Sequence, residues 1–232
     1  VEAIPVFIIA MVLSAVGAVL ASGVNRSCDL SQPTAACGPV FALVTLFTEM
    51  GFVIAVAFWV RVVNRASLRD LGLVASPGRD VATGVLGGLG LQAASWVVAV
   101  AIQVVGRLIL GHTPEAPEQI PEQIRQASLL LPAIVAIVAA PIGEEVFFRG
   151  FLFRGLRRRF SVWPAIVISA ACFSLIHISP ESLGGSVTLI VALFPVGVGL
   201  AWIYERRQSL LASIVAHSTF NAIGITVLFL TR

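Results

Sequence analysis

Charge is scarce in this sequence. Only 12% of its 232 residues are Asp, Glu, Lys or Arg, whereas 58% are hydrophobic. A soluble domain carries about 25% charged residues and needs them to cover its surface, so this composition excludes an ordinary water-soluble globule. Lysine is missing altogether, and the fifteen basic residues are all Arg. With so much Ala, Val and Gly, that skew points to a bacterial coding bias. Three cysteines are too few for a disulfide framework. The strict apolar–polar alternation of a barrel strand is missing as well. So are a His-Glu-x-x-His zinc signature and a Gly-x-Ser-Gly nucleophile motif, and none of the three Asp falls in an apolar stretch.

What is present is a series of apolar stretches at about 4–22, 39–60, 81–105, 128–153, 162–178, 187–204 and 209–230. Each is long enough, or nearly so, to cross about 30 Å of hydrocarbon at about 1.5 Å per residue. They predict an all-α, polytopic transmembrane bundle of about seven spans, with N-terminal helices and loops over 1–127 and a catalytic core over 128–232 of the same membrane domain. The first stretch lacks a basic leader and exceeds the usual apolar core of a signal peptide, so it reads as a retained span. Segments 61–80, 154–161 and 205–208 hold ten of the fifteen Arg. The intervening 23–38, 106–127 and 179–186 hold only Arg26, Arg107 and Arg125, alongside Asp29, Glu115, Glu118, Glu122 and Glu181. Arg-rich loops stay in the cytoplasm, which predicts a cytoplasmic N-terminus and an exoplasmic C-terminus. Cys28 and Cys37 flank an external loop and either pair in an oxidising compartment or stay as two thiols; Cys172 reads as packing. The doublet Pro117-Glu118-Gln119-Ile120 and Pro121-Glu122-Gln123-Ile124 is a short external duplication with no chemistry assigned. No longer repeat is present, which argues against an inverted-repeat transporter.

Ionisable residues within spans cost about 2.5–3.5 kcal/mol or more each at a helix centre, so each requires a reason. Glu144, Glu145, Arg149, His177 and His217 are the ones that matter, with Asn221 one turn beyond His217. Glu145 and Arg149 are four residues apart, share a helix face and can pair. Glu144 is turned by about 100° from Glu145 and is the carboxylate left to meet water or substrate. Pro141 and Gly143 just before it invite a kink that opens the helix. Phe173 with His177, and His217 with Asn221, repeat the four-residue spacing. Counted from the Arg clusters, Glu144 and His217 lie at similar depths and His177 comes out deeper. A lone membrane His is often only an interhelical hydrogen-bond partner, and Glu145–Arg149 alone reads as a structural pair. The joint occurrence of Glu144, two His and an Asn on three helices points instead to a site. Glu49, in the second stretch, either lines the cavity or snorkels and receives no role.

At these residues the chain resembles the CAAX-protease and bacteriocin-processing family of intramembrane endopeptidases, the prenyl-protease type. The matches are Glu144-Glu145-x-x-x-Arg149, Phe173-x-x-x-His177 and His217-x-x-x-Asn221, in the family's order, supported by Phe194, Gly197, Tyr204-Glu205-Arg206 and Ser209-Leu210. The resemblance covers about 128–225. Ala201 and Gln208 stand where Gly is common in the family. The resemblance implies that Glu144 and His177 activate the attacking water and that His217 and Asn221 donate to the oxyanion. Glu145 and Arg149, with Phe173, would hold the site in shape. It implies a membrane-associated protein or peptide substrate in the cell membrane; no nucleic-acid partner is expected, and the glutamate mechanism, which needs no cofactor, is preferred. The zinc-dependent alternative would take Glu144, His177 and His217 as ligands. Rival readings are a non-enzymatic immunity or scaffold protein and a proton-coupled transporter.

Overall fold

The computed structural model describes residues 2–24, 28, 37–73, 76–114, 130–178 and 183–230. Among these there is no strand, and the chain is helical: α1 Ala3–Val24, α2 Gly38–Phe58, α3 Pro77–Leu110, α4 Leu130–Arg157, α5 Val162–Leu175, α6 Leu183–Arg207 and α7 Leu210–Leu230. All but α5 are long and apolar enough to cross a membrane. With 14 residues, α5 reaches only about 21 Å, short of a full span. The outward faces carry exposed Ile, Leu, Val and Trp along α1, α3 and α7, as expected where the surrounding solvent is lipid rather than water. The 117–124 doublet, and the boundary between 127 and 128, lie outside the described residues.

Two boundaries differ from the apolar pattern. α3 starts at Pro77, a residue suited to a first helical turn, and so takes in Asp80, which the pattern left outside a span. Asp80 is buried and accepts hydrogen bonds from the Ser76 amide (2.8 Å), Ser209 Oγ (2.9 Å) and Arg207 Nη2 (2.6 Å). This cluster ties the start of α3 to the junction of α6 and α7. At the same junction the Tyr204 hydroxyl donates to Leu71 O (3.0 Å) and the Leu210 amide to Gly72 O (2.9 Å). Gln208, between α6 and α7, has φ +50°. That left-handed conformation favours glycine. The second boundary is α5, which ends at Leu175, so His177 lies in the turn just beyond the helix rather than on its face.

Packing follows small residues. α1 lies on α2, α3 on α7 and α6, and α5 on α6. Gly84 and Gly88 of α3 face α7 where it carries Ala212 and Ala216, and a Cβ at Gly88 would lie 2.6 Å from the Ala216 carbonyl oxygen. Close backbone approach of this kind is how membrane helices associate when no hydrophobic drive separates them from lipid. It fixes the position of His217, the next residue along α7. Cys28 and Cys37 are joined by a disulfide that closes the α1–α2 connection.

Gly88→Ala is therefore expected to push α3 off α7 at a cost of about 1–3 kcal/mol. The reading is a lower melting temperature of the detergent-solubilised protein. Gly90→Ala, where nothing lies within 4 Å, should leave it unchanged.

Candidate functional site

The site is built around α4, which is not a regular helix. Its turns widen to π geometry at Val135–Ala139 and Val146–Phe153, on either side of the α-helical Ala140–Glu145. Pro141 supplies a local cause, since it has no amide to donate and its ring crowds the preceding turn. Widened turns of this sort recur at functional sites. Here they bracket the Glu144-Glu145 pair and carry Arg149.

Arg149 is fully buried. Its Nη1 donates to Glu145 Oε1 (2.8 Å), its Nη2 to Gly197 O on α6 (3.1 Å), and its guanidinium carbon lies 4.6 Å from the Phe173 ring centroid on α5. Glu145 Oε1 also accepts from His217 Nδ1 (3.0 Å) on α7. One ion pair thus links α4, α5, α6 and α7. The His217 contact has a chemical consequence. With Nδ1–H given to a carboxylate, Nε2 is the nitrogen left for chemistry, and it points to Glu144, 3.9 Å from Oε2. That separation exceeds a direct hydrogen bond and lies within reach of a water bonded to both. Glu144 Oε2 is buried and has no hydrogen-bond partner within the protein.

His177 donates from Nδ1 to Phe173 O (2.9 Å), capping the last turn of α5. Its Nε2 then holds the lone pair when the ring is neutral. Both imidazoles stand edge-on to the Phe173 ring, His177 at 5.2 Å and His217 at 5.7 Å between centroids. Phe173, near the end of α5, thus lies against the imidazole of α7 as well as that of His177. Asn221 Nδ2 donates to Ala136 O (2.7 Å) in the first widened turn of α4. The structure therefore gathers Glu144, Glu145, Arg149, Phe173 and His217 directly. His177 joins through Phe173, and Asn221 through the α4 backbone. Among the described residues no three His, Cys, Asp or Glu side chains stand together as a ready metal site, and no step is routed through a metal.

Sequence reasoning assigned no role to Glu49, which the structure brings to the site. It is 6% exposed, its Oε2 has no partner, and its charge acts on that of Glu144. Gly143 makes room for it: a Cβ there would lie 2.8 Å from both Glu49 Cα and Glu49 O and would also strike Glu49 Oε2. A buried acid in an apolar span was the available signal; nothing in the pattern paired α2 with α4.

Residues 126–223 match the type II CAAX prenyl endopeptidase Rce1-like family, and over that segment the likeness carried by the three motifs holds. A bacterial relative, the UPF0177 protein YxdF of Lactococcus lactis subsp. lactis, is 26% identical over 99 residues, or 43% of this chain and 51% of the relative. The chain thus spans about half the length of the curated relative it matches. No solved structure matches it. With six helices able to cross a membrane, the chain is a multi-pass protein of the cell membrane.

Glu145→Gln is expected to leave Arg149 buried without its counter-charge and to cost about 3–5 kcal/mol. Glu144→Gln, which breaks no hydrogen bond within the protein, should melt within about 1 kcal/mol of wild type. Thermal unfolding of the two variants side by side in detergent checks the distinction.

Proposed function

We propose that this chain is an intramembrane endopeptidase that hydrolyses a peptide bond in a membrane-associated protein or peptide, using water activated at Glu144. The observation that carries this reading is the buried, unpartnered Glu144 Oε2 facing His217 Nε2 at 3.9 Å. Peptide hydrolysis needs a base for water, a proton for the leaving amine and donors for the tetrahedral oxyanion. Glu144 takes the proton from water, assisted by His177 through its lone-pair nitrogen, and returns it to the departing amine. His217 and Asn221 stabilise the oxyanion. For His217 to donate from Nε2 while Nδ1–H stays on Glu145, the ring must carry both protons, and Glu145 is the counter-ion such a ring needs. Glu145 and Arg149 shape the site. The Rce1-like match supports a peptidase in general. The glutamate mechanism, the residue roles and the absence of a cofactor are our reading.

The N-terminus is proposed to lie in the cytoplasm. The Arg-rich 154–161 and 205–208 segments support this, and so does the Cys28–Cys37 disulfide, which suits an oxidising exterior. The substrate is proposed to be bacterial, membrane-bound and not nucleic acid.

Cleavage of a peptide library by detergent-purified protein tests the reading. Wild type should cleave, and Glu144→Gln should lose at least about 10²-fold in rate, the scale of a general base. A chelator should change neither. Loss with chelator and recovery with added zinc would return Glu144, His177 and His217 to the role of ligands. An active Glu144→Gln would remove Glu144 from the chemistry and favour another mechanism; a chain that cleaves nothing favours the non-enzymatic immunity or scaffold role.

A further inference from the structure

The Arg-rich end of the bundle holds a cavity that peptide hydrolysis does not use. α4 ends at Arg157, α5 begins at Val162 and α6 ends at Arg207. Between the ends of α4 and α6 lies a cavity of about 340 Å³, lined by Arg154, Arg157, Arg158, Tyr204, Glu205 and Gln208 with the buried Phe153. That volume falls in the range of small-molecule sites, about 300–1,000 Å³. Its charges do not cancel. Glu205 is the one acid in the lining, and it is fully engaged. Arg157 reaches its Oε1 with Nε at 3.2 Å and Nη2 at 3.1 Å, and Gln208 Nε2 reaches its Oε2 at 3.4 Å. Arg157 Nη1 is taken by Phe160 O at 2.8 Å. Arg154 is half-buried and has only the neutral Tyr204 hydroxyl at 3.4 Å, which itself donates to Leu71 O. Arg158 is exposed, and its side chain has no partner among the described residues. Arg154 and Arg158 are four residues apart and share a face, so two guanidinium groups line one cavity without a counter-charge.

Topology accounts for the charge but not for the cavity. Holding a loop on one side of a membrane requires Arg in number; it does not require two unpaired guanidinium groups lining one space. Aromatic residues mark the depth. Trp163 in the first turn of α5, Trp202 near the end of α6 and Phe160 between α4 and α5 are all exposed. Arg206 stacks on Trp202, its guanidinium carbon 5.3 Å from the ring centroid. Trp at the end of a spanning helix lies at the level of the lipid headgroups. The anion present at that depth is the headgroup phosphate, whose free oxygens match the planar Arg fork. We propose that this cavity binds the phosphate of an anionic phospholipid, with Arg154 and Arg158 as its ligands and the Arg157–Glu205 pair as the wall that joins α4 to α6. Basic pockets between spanning helices take headgroups in this way. The bound phosphate neutralises both cations and ties the last turn of α4 to α6. The proposal is independent of what Glu144 does.

The test uses the full chain in a neutral detergent with dioleoylphosphatidylglycerol as the probe. Binding is read by native mass spectrometry and by the rise in melting temperature. Wild type should take up the lipid saturably, and Arg158→Gln should weaken it at least about tenfold, the scale of one charge-assisted contact. Arg154→Gln should do the same. The exposed Arg158 side chain bonds nothing in the protein, so its variant carries the test even if Arg154→Gln does not fold. Arg69→Gln removes the same charge from an exposed position outside the cavity and should stay within about twofold, because exposed charges contribute little. Equal losses in Arg158→Gln and Arg69→Gln would mean attraction to a diffusely basic face and overturn the site. Inorganic phosphate that displaces the lipid at equal concentration would make the ligand a free anion and overturn the lipid assignment. Dioleoylphosphatidylcholine bound as tightly, or no saturable uptake of the phosphatidylglycerol, would overturn the proposal outright.

Discussion

The buried pair of Arg149 and Glu145 is the interaction on which the other contacts depend. A guanidinium with no exposure needs its charge met; both of its terminal nitrogens are paired, although Nε is not, and each partner comes from a different helix. Glu145 lies on α4 itself, Gly197 O on α6 and the Phe173 face on α5. Because Glu145 also receives His217 Nδ1, the pair sets the tautomer of the imidazole on α7 as well as its position. A Lys could carry the charge but not the planar fork that reaches two acceptors while stacking on a ring. A single residue therefore fixes the relative placement of the four helices that carry the motifs. This accounts for why the charge is kept at depth, even though buried ion pairs contribute little net stability.

Most of the bundle was legible from length and hydropathy, because lipid forces every backbone polar group into intrahelical bonds and leaves few architectures. The division between Glu144 and Glu145 was legible too, since adjacent residues on a helix point about 100° apart. Contacts that depend on how helices meet were not. Nothing in a 3.6-residue period indicates that His217 binds Glu145, or that Glu49 of α2 lies against Gly143 of α4. The end of α5 was misplaced for a related reason. The apolar run continues to 178, but the His177 side chain takes the Phe173 carbonyl and helps end the helix. Asp80 shows the opposite error, a charge assigned to a loop that its partners Arg207 and Ser209 draw inside.

The irregular backbone of α4 also limits what Asn221 can do. An amide has two N–H donors, and one is given to Ala136 O at 2.7 Å. That carbonyl belongs to the widened turn ahead of Pro141, where regular pairing fails. The bond therefore satisfies a backbone group that lipid could not, and it leaves one donor for an oxyanion. His217 is likewise half spent on Glu145. Each proposed oxyanion donor thus has one proton anchored to α4 and one position free. Anchored donors need no reorganisation when charge develops, which is the condition under which such stabilisation is strongest. The same groups that make α4 tolerable in the membrane are then the ones that hold the donors still.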